Sequence, residues 1–432
     1  MRTVFRLTVA SLLIAACPDA FALRLDYTVE LGLLRSDNIT LSPTDPIDET
    51  VLIPHLDFSL VESGSNVQAA VTGVLEYRNY LDGTFGSEFR GTLNGNINWD
   101  IVPERFAWTF ADHLGLYPIS LRDPDVPGNL QQTNVFTTGP TLRFRVGPTV
   151  QGQTELRWID SYAEETGAFD SRRLGLAQRF QWQLAPTRRL NANLEVQDID
   201  FDDDLVARDY RRHAAYLDYD ATLAHLDFGV ALGYTRLDFD AGGDVSGPLA
   251  RASLDWRASE RSTFGMAFAW QYSDAVSALA VGGSAFDLGL GGIDIGGEAI
   301  GADVYRERRL EGNYLYQSTR FNIASTVHAA RFRYEQEAVV LAADRNEIGA
   351  GINVGYLLRP LLTLGATAEA LRRRYVDDGV TDRDYRYGIY LSQQLSRHWR
   401  WRIDLSRNER HAGTGADSFD ENAAYLRFAY TR

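Results

Sequence analysis

The stretch Phe89-Arg90-Gly91-Thr92-Leu93-Asn94-Gly95-Asn96-Ile97-Asn98-Trp99-Asp100-Ile101 sorts its residues into two interleaved sets. Phe89, Leu93, Ile97, Trp99 and Ile101 fall on one side with Gly91 and Gly95, while Arg90, Thr92, Asn94, Asn96, Asn98 and Asp100 fall on the other. Successive side chains point to opposite faces only in extended backbone, so the segment is a strand with one greasy and one hydrophilic face. The hydrophilic face is the more informative. Asn94, Asn96 and Asn98 in register could not be buried dry unless every donor and acceptor found a partner. Facing water they cost little, and the opposite face, edged by Trp99, suits lipid.

Working outward, the same period recurs to both ends of the chain. Leu23, Leu25, Tyr27, Val29, Leu31 and Leu33 alternate with Arg24, Asp26, Thr28, Glu30 and Gly32. Leu142 to Val146, Leu174 to Leu184, Leu226 to Tyr234, Phe264 to Tyr272, Ile348 to Leu358, Tyr385 to Leu395 and Trp399 to Leu405 repeat it. The connections alternate in length: short near Glu62, Val102, Gly147, Ala185, Ala221, Ala258, Gln317, Arg359 and Ser396, longer near Arg35 to Thr50, Tyr117 to Asn134, Ser161 to Asp170, Ala275 to Asp303 and Asp377 to Asp382. Together these predict an all-β fold: a transmembrane antiparallel up-and-down barrel of about 20 strands (18 to 20), with short periplasmic turns and long extracellular loops. Residues 23–432 form that barrel. Trp99, Trp108, Trp182, Trp256, Trp399 and Trp401 crowd the short turns on the apolar face, as rings do at a membrane interface. A large soluble β protein also alternates, but its strands are shorter and its inner faces less hydrophilic.

Residues 1–22 read as a secretory leader: Arg2 and Arg6, an apolar run from Val9 to Ala16, then Ala20-Phe21-Ala22 before a cut. Ile14-Ala15-Ala16-Cys17 also fits a lipoprotein processing box, which would leave a lipidated Cys17. Either leader directs the chain out of the cytoplasm, and the barrel reading places it in the outer membrane of a Gram-negative bacterium. Beyond residue 22 no apolar run is long enough for a membrane helix. The 432 residues include 43 basic and 58 acidic ones, a net charge of −15, and a single Cys. No disulfide framework is possible, and the charge argues against nucleic acid as a partner.

If apolar faces meet lipid, the opposite faces line a lumen. That places Arg90, Arg143, Arg145, Arg157, Arg173, Arg179, Arg251, Arg257, Arg386, Arg400 and Arg402 inside, among a nearly equal number of carboxylates such as Asp100, Glu155, Glu195, Asp227, Glu369 and Asp404. A pore selective for a polyanion calls for a ring of one sign, so a mixed lining suits a weakly charged cargo. The arginines either bind hydroxyls and carboxylates of a passing solute or pair with neighbouring acids as filler. The loop from Ala275 to Asp303 is rich in glycine and carries Phe286, Leu288, Leu290 and Ile293. Its length and apolar content give two readings, an inward constriction or a surface loop. No cofactor or metal is expected. The acids Asp198, Asp200, Asp202, Asp203 and Asp204 read as a solvated loop, lacking the glycine and terminal glutamate of a calcium loop. Nor is an enzyme expected: His55 and Asp57 share a face, but no serine nucleophile with its base can be singled out.

Ser36-Asp37-Asn38-Ile39-Thr40-Leu41-Ser42-Pro43 after the first strand, with Leu52-Ile53-Pro54-His55-Leu56 opening the second, resembles the start of the β-barrel porins linked to exopolysaccharide synthesis and PEP-CTERM/exosortase loci, the EpsL-like proteins. The resemblance in architecture covers nearly all of residues 23–432, with thin motif content. It implies an exit conduit for secreted exopolysaccharide. The barrel reading gives outer-membrane lipid and lipopolysaccharide as partners, and the resemblance adds the polysaccharide cargo with periplasmic and inner-membrane export machinery. The alternatives are a general or substrate-specific diffusion porin and, further off, a membrane-embedded hydrolase.

Overall fold

The computed structural model describes residues 23–203, 208–240, 242–280, 300–335, 343–415 and 417–432. Residues 1–22, read above as a leader, and the constriction candidates Phe286, Leu288, Leu290 and Ile293 lie outside the described residues, as does Asp204.

Alternation becomes strand after strand: β1 (Arg24–Ser36), β2 (Glu49–Ser63), β3 (Val67–Tyr80), β4 (Glu88–Val102), β5 (Phe106–Pro118), β6 (Leu130–Arg145), β7 (Val150–Ala163), β8 (Ser171–Ala185), β9 (Arg188–Phe201) and β10 (Tyr210–Thr222). The second half continues with β11 (Leu226–Phe239), β12 (Val245–Ser259), β13 (Ser262–Ser273), β14 (Tyr305–Gln317), β15 (Phe321–Tyr334), β16 (Arg345–Arg359), β17 (Leu362–Tyr375), β18 (Thr381–Gln394), β19 (Trp399–His411) and β20 (Phe419–Thr431). Among the described residues one short α-helix, α1 (Ala275–Ala280), follows β13.

Each strand pairs antiparallel with the next, and β1 pairs with β20 from Thr28↔Thr431 to Ser36↔Ala423, which closes a single sheet of 20 strands. Closure matters physically because it leaves no edge whose amides would face hydrocarbon unpaired. The outward face is apolar: Phe89, Leu232 and Ile348 are each at least 60 % exposed, and Leu174, Leu194, Leu217 and Leu405 stand out beside them. In water so much exposed grease would drive aggregation. Around a closed sheet it is the lipid-facing band of a transmembrane barrel.

The short-turn rim carries its aromatic girdle in register. Trp99 lies opposite Trp108, Trp182 opposite Val150, and Trp401 opposite Phe428. Trp256 stacks on Phe264 at 5.5 Å and Trp399 on Phe428 at 4.9 Å. Every short turn falls where the alternation breaks, and at four of the turns the register shifts, at Asp100/Val102, Gln183/Ala185, Arg257/Ser259 and Leu357/Arg359. Such shifts sharpen the bend of a strand leaving the barrel.

Two expectations need correcting. Asp198 and Asp200 are not loop residues; they extend β9 on its outward face, where Asp198 meets Arg211 of β10 at 2.5 Å. The inward face is also not hydrophilic along its whole length. Near the long loops it turns apolar, with Val51, Ile53, Val135, Ala163, Ile199, Phe201, Leu237 and Phe332 all buried. The reason is packing: the loops fold back over these positions.

Candidate functional site

The lumen below the long loops is lined by short-range ion pairs. Arg90 meets Glu88 at 2.6 Å, Arg143 meets Asp100 at 3.1 Å, Arg157 meets Glu155 at 2.7 Å and Arg402 meets Asp404 at 2.6 Å. Arg257 approaches Asp227 at 3.8 Å and Arg386 approaches Glu369 at 3.5 Å. Arg179 donates to Asn193 Oδ1 at 2.7 Å and Arg251 to Gln271 Oε1 at 2.6 Å. Arg145 stands at the turn rim, 3.9 Å from Glu104, and Arg400 has no ion pair among the described residues. Thus most of the arginines expected inside have a partner one strand or two residues away. Half-exposed pairs of this kind contribute little to stability, about 0–1 kcal/mol each. They neutralise the wall while leaving many donors and acceptors within reach of a solute.

His55 belongs to this lining. Its Nε2 lies 2.9 Å from Asp57 Oδ1 and its Nδ1 lies 3.6 Å from Glu76 Oε2, while Glu76 also takes Arg78 at 2.5 Å. An imidazole held between carboxylates, with no hydroxyl bound to it among the described residues, is arranged as a cation in an ion network rather than as the base of a nucleophile. No group of three or more metal-ligating side chains gathers among the described residues.

At the long-loop end two segments among the described residues fold into the lumen. The first starts at β13. Asp274, one residue past that strand, binds Arg173 of β8 at 2.8 Å and accepts from Tyr210 of β10 at 3.1 Å. Both members of the Arg173–Asp274 pair are almost wholly buried. In the ring of 20 strands β8 and β13 stand five strands apart, so the pair draws the start of the long loop inward across that part of the wall. Asp274 also caps α1, accepting the Ser277 N–H at 3.0 Å and its hydroxyl at 2.7 Å. Burial alone would lift the Asp274 carboxyl, but the Arg173 guanidinium and the Ser277 donors outweigh it and hold the group below the usual carboxylate range. Beyond the cap, Ala275, Val276 and Leu279 pack with Ile300 against Val135, Ala163 and Phe169 of the β6–β8 wall. Val304, where the chain returns, packs on Ile199, Phe201, Tyr210 and Leu237. Both described ends of the long loop therefore lie inside the barrel.

The second is the segment 119–129 between β5 and β6. Asn129 fixes its shape by donating to the carbonyls of Ser120 (2.9 Å), Asp123 (3.2 Å) and Pro124 (3.1 Å). Its tip reaches β17–β19 on the far wall. There Arg410 donates to the carbonyls of Asp123 (3.0 Å), Leu121 (3.1 Å) and Arg122 (2.5 Å). Arg122 in turn pairs with Asp378 at 2.6 Å and lies 4.0 Å over the Tyr375 ring. The Val380 N–H and then Arg122 keep the Asp378 carboxyl below its ordinary range.

Under this crossing runs a buried ladder of charges. Arg410 faces Asp382 at 3.5 Å and Asp384 at 3.7 Å; Arg373 bridges Asp384 (3.2 Å) and Glu347 (3.6 Å); Arg345 completes it on Glu347 at 2.6 Å and on the Tyr334 hydroxyl at 2.6 Å. Arg345, Arg373 and Arg410 are not among the lumen arginines expected from the sequence. The signal for Arg373 was present: carrying period two through Arg372-Arg373-Arg374 puts the middle residue inside and its neighbours outside. For Arg410, parity gives the face, but nothing local points to a partner almost three hundred positions away.

These features define a class: a transmembrane β-barrel of the kind that spans Gram-negative outer membranes, with a hydrated lumen and a mouth narrowed by inward-folded segments. Among solved structures the chain is similar to the FrpB iron transporter from Neisseria meningitidis, at 11 % identity over 94 % of this chain and 82 % of that one, with a TM-score of 0.45. It is also similar to OccK2 from Pseudomonas aeruginosa (12 % identity, 95 % and 98 % covered, TM-score 0.39) and to OccAB3 from Acinetobacter baumannii (10 % identity, 95 % and 99 % covered, TM-score 0.40). No protein-family model and no curated relative matches the chain, so the EpsL-like resemblance gains no support from either comparison.

Proposed function

We propose that this protein is a non-enzymatic outer-membrane conduit for a hydrophilic, weakly charged cargo, reached through a leader that sends the chain to the outer membrane. The observation that carries the proposal is the self-neutralised wall: arginines paired with carboxylates along the strands, interleaved with Asn94, Asn96, Asn98, Asn191, Asn193, Gln151 and Gln153. Such a wall exchanges hydrogen bonds with sugar hydroxyls at little electrostatic cost, and its paired charges do not trap a cargo of either sign. Exopolysaccharide is the cargo class this lining and the EpsL-like resemblance favour, with export machinery on the periplasmic side feeding the barrel. A diffusion porin is the second reading, favoured by the same mixed lining, which also passes small solutes. A deletion strain separates them. Loss of secreted polymer with intact synthesis supports the export conduit; normal polymer with slowed solute uptake supports the porin and overturns the first reading.

A further inference from the structure

The outward face changes character just above its apolar band on one side of the barrel. Arg306 and Arg308 of β14 lie directly opposite Arg333 and Arg331 of β15, and Arg372 of β17 lies directly opposite Arg383 of β18. All are in the last turns of strand before the long loops, and all share the outward parity of Leu310, Val327, Ile348 and Ile389. Like charges placed cross-strand destabilise a sheet. Among the described residues, Arg333 alone of these six has an ion pair, with Asp344 at 3.5 Å, while Arg308 rests 4.6 Å from the Trp270 ring centre.

The opposite side of the same rim is built differently. There Arg211 faces Asp198 in register at 2.5 Å, Arg236 takes Asp238 and also Asp244 at 2.8 Å, and Arg172 reaches Asp202 at 3.7 Å. Outward arginines on β8–β11 are thus matched by acids of the protein; on the other side Arg333 is held by Asp344, by Asn346 Oδ1 at 2.9 Å and by the carbonyls of Phe332 (2.6 Å) and Arg345 (3.0 Å), while Arg306, Arg308, Arg331, Arg372 and Arg383 face other arginines with no ion pair among the described residues.

We infer that the arginines on β14 and β15 bind the phosphorylated sugar headgroup of lipopolysaccharide in the outer leaflet. Two cross-strand pairs two residues apart make an array of about 5 by 7 Å, the scale of a phosphate-bearing disaccharide end. Between them opens a cavity of about 320 Å³ lined by Arg306, Arg308, Arg331, Arg333, Tyr334, Glu335 and Asp344. Guanidinium groups present paired donors to phosphate oxygens, and a dianion relieves the repulsion that the protein leaves in place. Directly below, Leu310, Val327 and Ile348 offer a wall for acyl chains, and this coupling of cationic shelf to apolar band selects a lipid over free phosphate. The inference rests on the barrel lying in the outer membrane with its long loops outward, and not on what the lumen carries.

The test compares wild type with R308Q/R331Q, using R211Q/R236Q as the matched control from the other side of the rim. Each protein is purified from outer membranes, checked for the heat-dependent gel mobility of a folded barrel, assayed for bound lipopolysaccharide, then delipidated and titrated with bisphosphorylated lipid A, dephosphorylated lipid A and inorganic phosphate. Wild type and control are expected to bind bisphosphorylated lipid A, with R308Q/R331Q weaker by roughly tenfold or more, a step of about 1.4 kcal/mol. Without lipid, R308Q/R331Q is expected to unfold no more easily than wild type, because it has lost a repulsion. Should R308Q/R331Q lack a folded barrel, R308Q alone is read in its place. Equal binding by variant and control overturns the inference. So does equal binding of dephosphorylated lipid A, binding of inorganic phosphate as tight as the lipid, or a variant that changes only self-association of the chain. A chain with no heat-modifiable mobility and no place in the membrane fraction would instead defeat the barrel reading itself.

Discussion

The two ends of the lumen use one chemistry, arginine against carboxylate, in opposite ways. At the mouth Arg173 and Asp274 are 1 % and 4 % exposed, whereas at the turn end Arg257 and Asp227 are 56 % and 42 % exposed. The dry pair fixes an inward-folded segment to a strand five places away around the ring. The wet pair keeps its hydration and dresses a surface. A charge stripped of water without its partner is expensive, so only the mouth pairs can act as latches. The difference shows how a barrel with a uniform strand pattern acquires a narrow end and an open end.

The sharpest way to break the comparison is Arg173→Ala, which leaves Asp274 buried and unpaired. We expect a loss of about 3–5 kcal/mol in the local anchoring of α1, seen as larger and noisier conductance steps in a planar bilayer. Next comes Arg410→Ala, which frees three carbonyls of the 119–129 segment and uncovers Asp382. A cost of about 2–5 kcal/mol is expected, read as rapid protease cleavage within 119–129 in otherwise intact barrels. Replacing the whole pair, Arg345→Met with Glu347→Leu, should cost less than Arg345→Met alone, because the single variant leaves the buried Glu347 only Arg373 at 3.6 Å, whereas the double variant leaves Arg373 on Asp384 at 3.2 Å; chemical unfolding in detergent measures both. Arg257→Ala marks the small end of the scale, within about 0.5 kcal/mol and with no change in protease sensitivity at the mouth.

Acidity gives an independent lever. The Asp274 carboxyl is held below its ordinary value in the folded protein, so its contribution is fully present above the unfolded value of about 3.9 and is lost only as pH falls through the lower folded value. Burial pushes the Asp303 carboxyl, beside the returning end of the same loop, up to about 7, so the test uses an Asp303→Asn background, in which conductance should be flat between pH 7 and pH 5 and rise only in stronger acid. A rise already complete by pH 5 would remove Asp274 as the latch.

Much of this architecture was legible in the residues. Period two, the alternation of short and long connections and the tryptophans at the short turns each follow from local rules, so strand number and orientation of faces could be read along the chain. The site was legible by half. Parity placed Arg173 in the lumen, but only the folded chain brings it to Asp274, because contacts across a barrel leave no periodic trace. At the loop ends the alternation misleads: Ile199 and Phe201 point inward and Asp198 and Asp200 outward, since inward grease there receives folded-back loops. The segment 119–129 resisted reading for a similar reason. Its inward fold depends on backbone carbonyls meeting Arg410, and carbonyls carry no sequence signature.

The most direct test of the whole account is a paired planar-bilayer recording of wild type and the Arg173→Ala/Arg410→Ala double variant under identical salt and voltage. Discrete ion-conducting steps in both, several-fold larger in the double variant, are what a hydrated barrel with a latched mouth predicts. Steps of equal size, or a wild-type protein that inserts and conducts nothing while the double variant is equally silent, would contradict it.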